Sequence, residues 1–494
     1  MDTNERIKQL INKKQNVLLT GGAGTGKSYT TNRIIAYLRN KGIPTGITAS
    51  TGFASTHISG STIHSFIGMK TATSIDEIES VIGSLNLKKI ALIKEKKVLI
   101  IDEISMISSF QLDLISMILQ KVKGNEAPFG GMQMILVGDF FQLPPVVRRE
   151  WTKDGLHWAF NSEEFKRAEF KVVNLTKVYR QEDNKFSSLL NEARLGTLSD
   201  NSTLTLWDRQ IKKHEVSISL FATNAMADDF NLSELARIDA PYEQFKGAVT
   251  FKEDEFTEKE QSKHFYTLKN SIPVPYELEV KSGAKIMLRD NDLEGRYVNG
   301  TFGTYIKLVG HISLDVEKYL ELVCDLIMLG FKEEIDYTII SDKFGNETDI
   351  EFNEDKIESI TEDLKSYRNC YSQISTMPKM KIKLNNNSII YLPKKKWEFS
   401  INQNLDEHGK REMDAFVSQY PIRLAYGITI HKSQGATLDS VFINFKDVYQ
   451  YGQGYVALSR AKNIDNLYLR NFDSRKIRVD PDVLKFYNEL GIEL

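Results

Sequence analysis

At 494 residues the chain has room for about three domains, and 41% apolar residues supply their cores, which excludes a disordered polypeptide. Its two cysteines, Cys324 and Cys370, exclude a disulfide framework and point to a reducing compartment. The net charge of −2 excludes no class of partner, because residues 332–363 hold twelve Asp/Glu against three Lys, a local −9 that leaves +7 for the remainder.

The first stretch, "MDTNERIKQLINKKQN", mixes charges unlike a signal peptide, and no apolar run approaches the ~18 residues of a membrane span. A cytoplasmic protein, bacterial or phage-like and without membrane contact, is the expectation. "NVLLTGGAGTGKSYTTNRIIAYL" (16–38) comes next. Val17–Thr20 predict a buried strand, Gly21–Gly26 a loop, and Lys27–Leu38 a helix with Ile34, Ile35 and Leu38 on one face. This is the G-x-x-x-x-G-K-[ST] pattern in the context it requires. Backbone N–H groups of Gly21, Gly22, Ala23, Gly24, Thr25, Gly26, Lys27, Ser28 and Tyr29 would cradle the phosphates of ATP at a helix N-terminus. Lys27 would reach the β/γ-phosphates and Ser28 would hold Mg²⁺.

"KKVLIIDEISMI" (96–107) predicts a central parallel strand, Val98–Ile101, with Asp102 and Glu103 at its ligand-facing end. Asp102 suits Mg²⁺, and Glu103 suits the base that orients or deprotonates the attacking water. "MQMILVGDFFQLPPV" (132–146) repeats the pattern with Gly138, Asp139 and Gln142. Gln142 is placed to sense the γ-phosphate, and Pro144 and Pro145 stiffen the segment after it. Residues 16–146 alone would fit equally a P-loop regulatory ATPase acting on protein.

Five further stretches narrow the choice: "ITASTGFASTHISGSTIHSFIG" (47–68), "VYRQEDNKFSSLLNEARLG" (178–196), "KSGAKIMLRDNDLEGRYVNGTFG" (281–303), "YGITIHKSQGATLDSV" (426–441) and "GQGYVALSRAK" (452–462). With the nucleotide motifs, in this order over roughly 16–475, they resemble the Pif-type (petite-integration-frequency) DNA helicases of superfamily 1B, relatives of RecD. The resemblance implies an α/β fold of two RecA-like P-loop motor domains with parallel sheets, ATP lying between them. It implies 5′-to-3′ translocation on single-stranded DNA, and unwinding of forked or tailed duplexes by a monomer, with G-quadruplexes and RNA–DNA hybrids as further substrates. A motor subunit of a RecD-like nuclease complex is the related alternative.

The domain layout implied is 1–66 with 94–172 for the first motor, and 67–93 for a small wedge insert. Residues 173–305 with 419–478 form the second motor, 306–418 a larger SH3-like β-rich insert, and 479–494 a C-terminal tail. "SIIYLP" and "KKWEFSI" read as strands of the larger insert, which also contains the acidic stretch 332–363; charge repulsion places that stretch away from DNA. Carried over by motif, Arg180 and Arg460 are the two arginines that reach the γ-phosphate from the second domain, where guanidinium offsets the charge of the transferring group. The glutamine motif that reads adenine in this family has no convincing counterpart at Gln9 or Gln15.

Candidate DNA contacts are Thr51, His64, Ser65, Phe66 and Pro144 in the first domain, and Asn224, Asn299, His431 and Lys432 in the second. Phe66 reads as a base-stacking ring or as the buried face of a short helix. "TIHKSQG" is expected to touch two ligands, with Thr429, His431, Lys432 and Ser433 toward DNA, and Gln434 and Gly435 toward ATP.

Overall fold

The computed structural model describes residues 3–51, 54–55, 58–68, 85, 87–145, 158–177, 184–211, 218–252, 256–292, 295–309, 378–399, 401 and 414–492. Arg180, most of the wedge insert and the acidic stretch 332–363 lie outside them.

Six strands build the first sheet: β1 (Val17–Gly21), β2 (Thr45–Ala49), β3 (Ser61–Thr62), β4 (Val98–Asp102), β5 (Gln133–Val137) and β6 (Lys171–Leu175). They run parallel in the order β3-β2-β4-β5-β1-β6. Every residue of β1, β4 and β5 is buried, which explains why the three read as unbroken apolar runs. Helices pack on both faces. Ser109–Lys123 starts with a reciprocal capping box between Ser108 and Gln111 and ends at Gly124 in the left-handed conformation.

The second parallel sheet contains β7 (Ile218–Phe221) and three strands from late in the chain. Between them the chain makes β8 (Glu243–Lys246), β9 (Ala248–Phe251), β10 (Glu277–Val280), β11 (Lys285–Leu288), β12 (Phe302–Val309), β13 (Lys379–Leu384), β14 (Ile389–Leu392), β15 (Lys395–Phe399), β16 (Ala415–Gln419) and β17 (Ile422–Leu424). Then β18 (Gly427–Thr429), β19 (Val441–Asn444) and β20 (Leu467–Arg470) complete the motor sheet in the order β18-β7-β19-β20. The two parallel sheets bear out the α/β motor architecture.

The antiparallel structure draws on more of the chain than 306–418. Strands β14-β13-β12-β11-β17 form one sheet and β15-β16-β9 another, so residues 248–251, 285–288 and 302–309 pair with strands that come later in the chain, within the insert or beyond it. These short strands alternate in burial and carry no motif of their own, so pattern alone merges them with the motor. The segment expected as a tail is also ordered. Helix Pro481–Glu489 lays Phe486 against Phe160 (4.2 Å, stacked) and Tyr487 against Phe141 (4.9 Å), returning the chain from the second motor sheet to the first. No helix among the described residues is long and apolar enough to cross a membrane.

Candidate functional site

Strand β1 delivers its buried end into the phosphate loop, and Gly26 adopts φ 84°, a left-handed value that a Cβ would strain, directly before helix Lys27–Asn40. No side chain caps that helix, so its first N–H groups stay available for an anion. Lys27 Nζ donates to the carbonyls of Gly21 (2.7 Å) and Gly22 (2.9 Å). Burial lowers its pKa, while Asp139, Glu103 and Asp102 oppose that shift. Ser28 and Tyr29 are exposed at the mouth, Tyr29 under the guanidinium of Arg33.

Asp102 ends β4 and is pushed up to about 7, first by burial and then by Glu103, against a hydrogen bond from the Glu103 N–H (2.9 Å). Glu103 holds φ 53° and ψ 50°, a left-handed conformation unusual for a side-chain-bearing residue. The turn throws its carboxylate across to the second domain, where the two N–H groups of Gln434 Nε2 donate to Gln142 Oε1 (3.0 Å) and Glu103 Oε2 (3.1 Å), with Ser105 Oγ next to them at 3.3 Å. Gln434 Oε1 is buried without a hydrogen-bond partner.

Glu103 and Gln142 line one cavity of about 350 Å³, together with Ala23, Gly24, the 26–29 stretch of the P-loop, Gly435 and Arg460. Arg460 is buried; its Nη1 donates to the carbonyls of Ser433 (3.1 Å) and Ala436 (2.9 Å), binding the HKSQG turn to the helix that precedes Arg460. A larger cavity of about 810 Å³ opens at the opposite end of the first sheet, where β1, β4 and β5 begin, and none of the candidate site residues lines it.

The candidate DNA residues separate into two groups. Thr51, His64 and Ser65 are half-buried or exposed, with the His64 pKa lowered by burial. Pro144 is half-buried in the coil after Gln142. Phe66 is a correction: it is 7% exposed, its ring packs beneath Gly46 in the first core, and it offers no face to a base. The Ile63–Ile67 helix needs an apolar face to dock on β2, and Phe66 lies on it.

In the second domain Lys432 Nζ donates to Asn224 Oδ1 (2.7 Å), while Asn299 and His431 are half-buried, each with a buried side-chain atom lacking a hydrogen-bond partner. Thr429 and Ser433 turn inward instead. Thr429 accepts from the Lys432 N–H (3.2 Å) and Ser433 donates to the Ile430 carbonyl (2.8 Å), both spent on holding the turn. Two residues missed in the sequence stand beside Lys432. Burial first, then the charges of Arg423 and Arg289, push Lys432 down to about 8 against the opposing charge of Asp228. Arg423 bonds Asp228 (2.9 Å), whereas Arg289 Nε is buried without a partner. No local signal marks either arginine, since β11 and β17 bring them together through antiparallel pairing.

Two parallel sheets closing on one cavity of about 350 Å³, with the phosphate loop and Glu103 on one side and a buried arginine on the other, define a two-domain nucleotide-driven motor. The chain belongs to the PIF1-like helicase family, whose model matches residues 3–203. It is 33% identical over 486 residues to the ATP-dependent DNA helicase Pif1 of a Psychrobacter species, covering 96% of this chain and 68% of that protein. The crystal structure of Pif1 helicase from Candida albicans superposes with a TM-score of 0.75 at 28% identity, covering 99% of each chain. Bacteroides Pif1 in complex with ADP-AlF3 and single-stranded DNA gives 0.68 at 25% identity, covering 99% of this chain and 96% of that one.

Proposed function

We propose that this chain is an ATP-dependent DNA helicase that hydrolyses ATP in the 350 Å³ cavity and moves 5′-to-3′ along single-stranded DNA, opening forked or tailed duplexes. The observation that carries the reading is the meeting of Glu103, Gln142 and Gln434, three residues far apart in sequence, through one amide nitrogen at the edge of the phosphate cradle. A motor requires such a contact, because hydrolysis must depend on how the two domains sit. The Ser28 hydroxyl and the Asp102 carboxylate are the oxygen donors that suit Mg²⁺. When bound, Mg²⁺ would neutralise phosphate charge; Glu103 would orient and deprotonate water, with Arg180 and Arg460 supplying positive charge from the second domain.

The DNA path we propose crosses Thr51, His64, Ser65 and Pro144, then Asn224, Asn299, His431 and Lys432, now joined by Arg289 and Arg423. ATPase measured with and without single-stranded DNA tests the reading, and a many-fold rise is expected. Each phosphate neutralised should contribute a slope of about −0.7 to log affinity against log salt. Unwinding should need a 5′ tail; activity confined to 3′-tailed duplexes overturns the polarity.

Lys432 adds a pH dependence. With its ammonium titrating near 8, single-stranded DNA affinity at fixed ionic strength should fall as pH rises from about 7 to about 9, and Lys432→Arg should flatten the profile. Stability of the free protein runs the other way. The unfolded lysine titrates near 10.5, so it holds more protons than the folded one between about 8 and 10.5, and stability rises across that window. Fluorescence anisotropy and thermal melting across the same buffers check both signs.

A further inference from the structure

The interface between the P-loop and the segment that leads to Arg460 contains a buried hydrogen-bond relay. The Ala23 N–H donates to the hydroxyl of Tyr455 (2.6 Å), and that hydroxyl donates to Asp139 Oδ2 (3.3 Å). Asp139 is held in turn by a forked ion pair with Arg194, whose Nε and Nη2 lie 3.0–3.2 Å from its oxygens. The Arg194 guanidinium rests 4.3 Å above the ring of Phe141. Four stretches thus meet in one relay: the phosphate loop and the Asp139–Gln142 turn at the phenol of the 453–458 helix, and the 184–195 helix at Asp139.

A second contact fixes the same helix at its start. A Cβ at Gly452 would collide with the Gln142 carbonyl and lie 2.6 Å from that of Phe141, so the helix begins pressed against the backbone that carries Gln142. Five residues beyond Tyr455 stands Arg460, lining the phosphate cavity. Phenol chemistry suits the position. One oxygen accepts from a backbone N–H and donates to a carboxylate, and burial beside Asp139 raises the Tyr455 pKa, so the donor proton stays in place.

We propose that Tyr455 is a positioning residue for ATP turnover: its hydroxyl pins the 453–458 helix to the P-loop and to Asp139, so that Arg460 and Gln142 reach the phosphates in register. Tyr455 touches no substrate and acts through those two side chains. The proposal rests on the ATPase reading of the 350 Å³ cavity.

Tyr455→Phe removes one oxygen and keeps the ring. Single-stranded-DNA-stimulated kcat should fall about tenfold to a hundredfold, the scale of a small misplacement of reacting groups. KM for ATP and the affinity for a non-hydrolysable analogue should stay within about twofold. In an Arg460→Lys background the same change should cost little more, because the residue it positions is already impaired. Unchanged kcat in a folded variant, or full additivity with Arg460→Lys, overturns the proposal. So does a loss of kcat and nucleotide affinity in step with melting temperature, which would mark a packing role alone. If Tyr455→Phe does not fold, Gly452→Ala shifts the same helix by another route and is judged by the same split. An unsubstituted chain without DNA-stimulated ATPase would sink the helicase reading itself, a separate outcome.

Discussion

Lys27→Ala should lower ATP turnover by at least about a hundredfold to a thousandfold, the cost of removing one preorganised charge from a developing anion, while single-stranded DNA affinity stays within about twofold. The separation follows from geometry. Lys27 lies on the Gly21 and Gly22 carbonyls inside the phosphate cavity, whereas Lys432 and Asn224 meet on the half-exposed and exposed surface of the second domain. Removing the ammonium should also drive Asp102 above its value of about 7, because Lys27 is the cation that opposes burial and Glu103 there. Steady-state ATPase and DNA anisotropy on one preparation check the prediction. Equal loss of both activities in a folded variant would mean that phosphate and DNA share a surface.

What the sequence discloses here is what is local. The P-loop, the Asp102–Glu103 strand end and Gln142 each come after a continuous apolar strand whose burial on both sides leaves the run unbroken. Spacing alone therefore places them at the ligand-facing edge. Phe66 is ambiguous for the same reason: a five-residue helix shows an apolar face, but periodicity does not say whether that face meets a core or a base. In "TIHKSQG" the outward set is His431 and Lys432 and the cleft-facing one is Gln434, while Thr429 and Ser433 hold the turn, which only the hydrogen bonds could decide.

Long-range partners stay hidden. Arg289 and Arg423 come together because β11 pairs with β17 across more than a hundred residues of chain, with Met287 opposite Arg423. Tyr487 belongs to a helix that reads as a tail, yet its hydroxyl meets Thr20 Oγ1 at 2.5 Å, one residue before the end of β1. The sequence carries an amphipathic pattern at 481–489 and no statement of which surface it covers. The aromatic cluster of Phe140, Trp158 and Phe160 supplies that surface, and Phe486 of the helix docks on it. The C-terminal helix therefore braces the same strand that feeds the phosphate loop.

Glu103→Gln should slow hydrolysis by about a hundredfold to ten thousandfold, the range of a lost general base, and leave nucleotide bound. Two features make this substitution a clean probe. The left-handed backbone at Glu103 is set by the turn between β4 and residues 104–106, and glutamine keeps the same chain length there. The new side-chain carbonyl can also accept from Gln434 Nε2 as the carboxylate does, so the contact between domains survives while the basic oxygen is lost. Asp102 loses the neighbouring negative charge that helps to raise it, and its pKa should drop below about 7, which favours the ionised form that Mg²⁺ needs. Nucleotide should therefore be held at least as firmly as by the parental chain while turnover stops. Single-turnover hydrolysis and filter retention of labelled ATP measure the two quantities separately. Parental hydrolysis by Glu103→Gln would remove Glu103 from the chemistry and leave it as a partner of Gln434 alone. Weakened retention would instead mean that the Glu103 charge helps to hold the nucleotide in place.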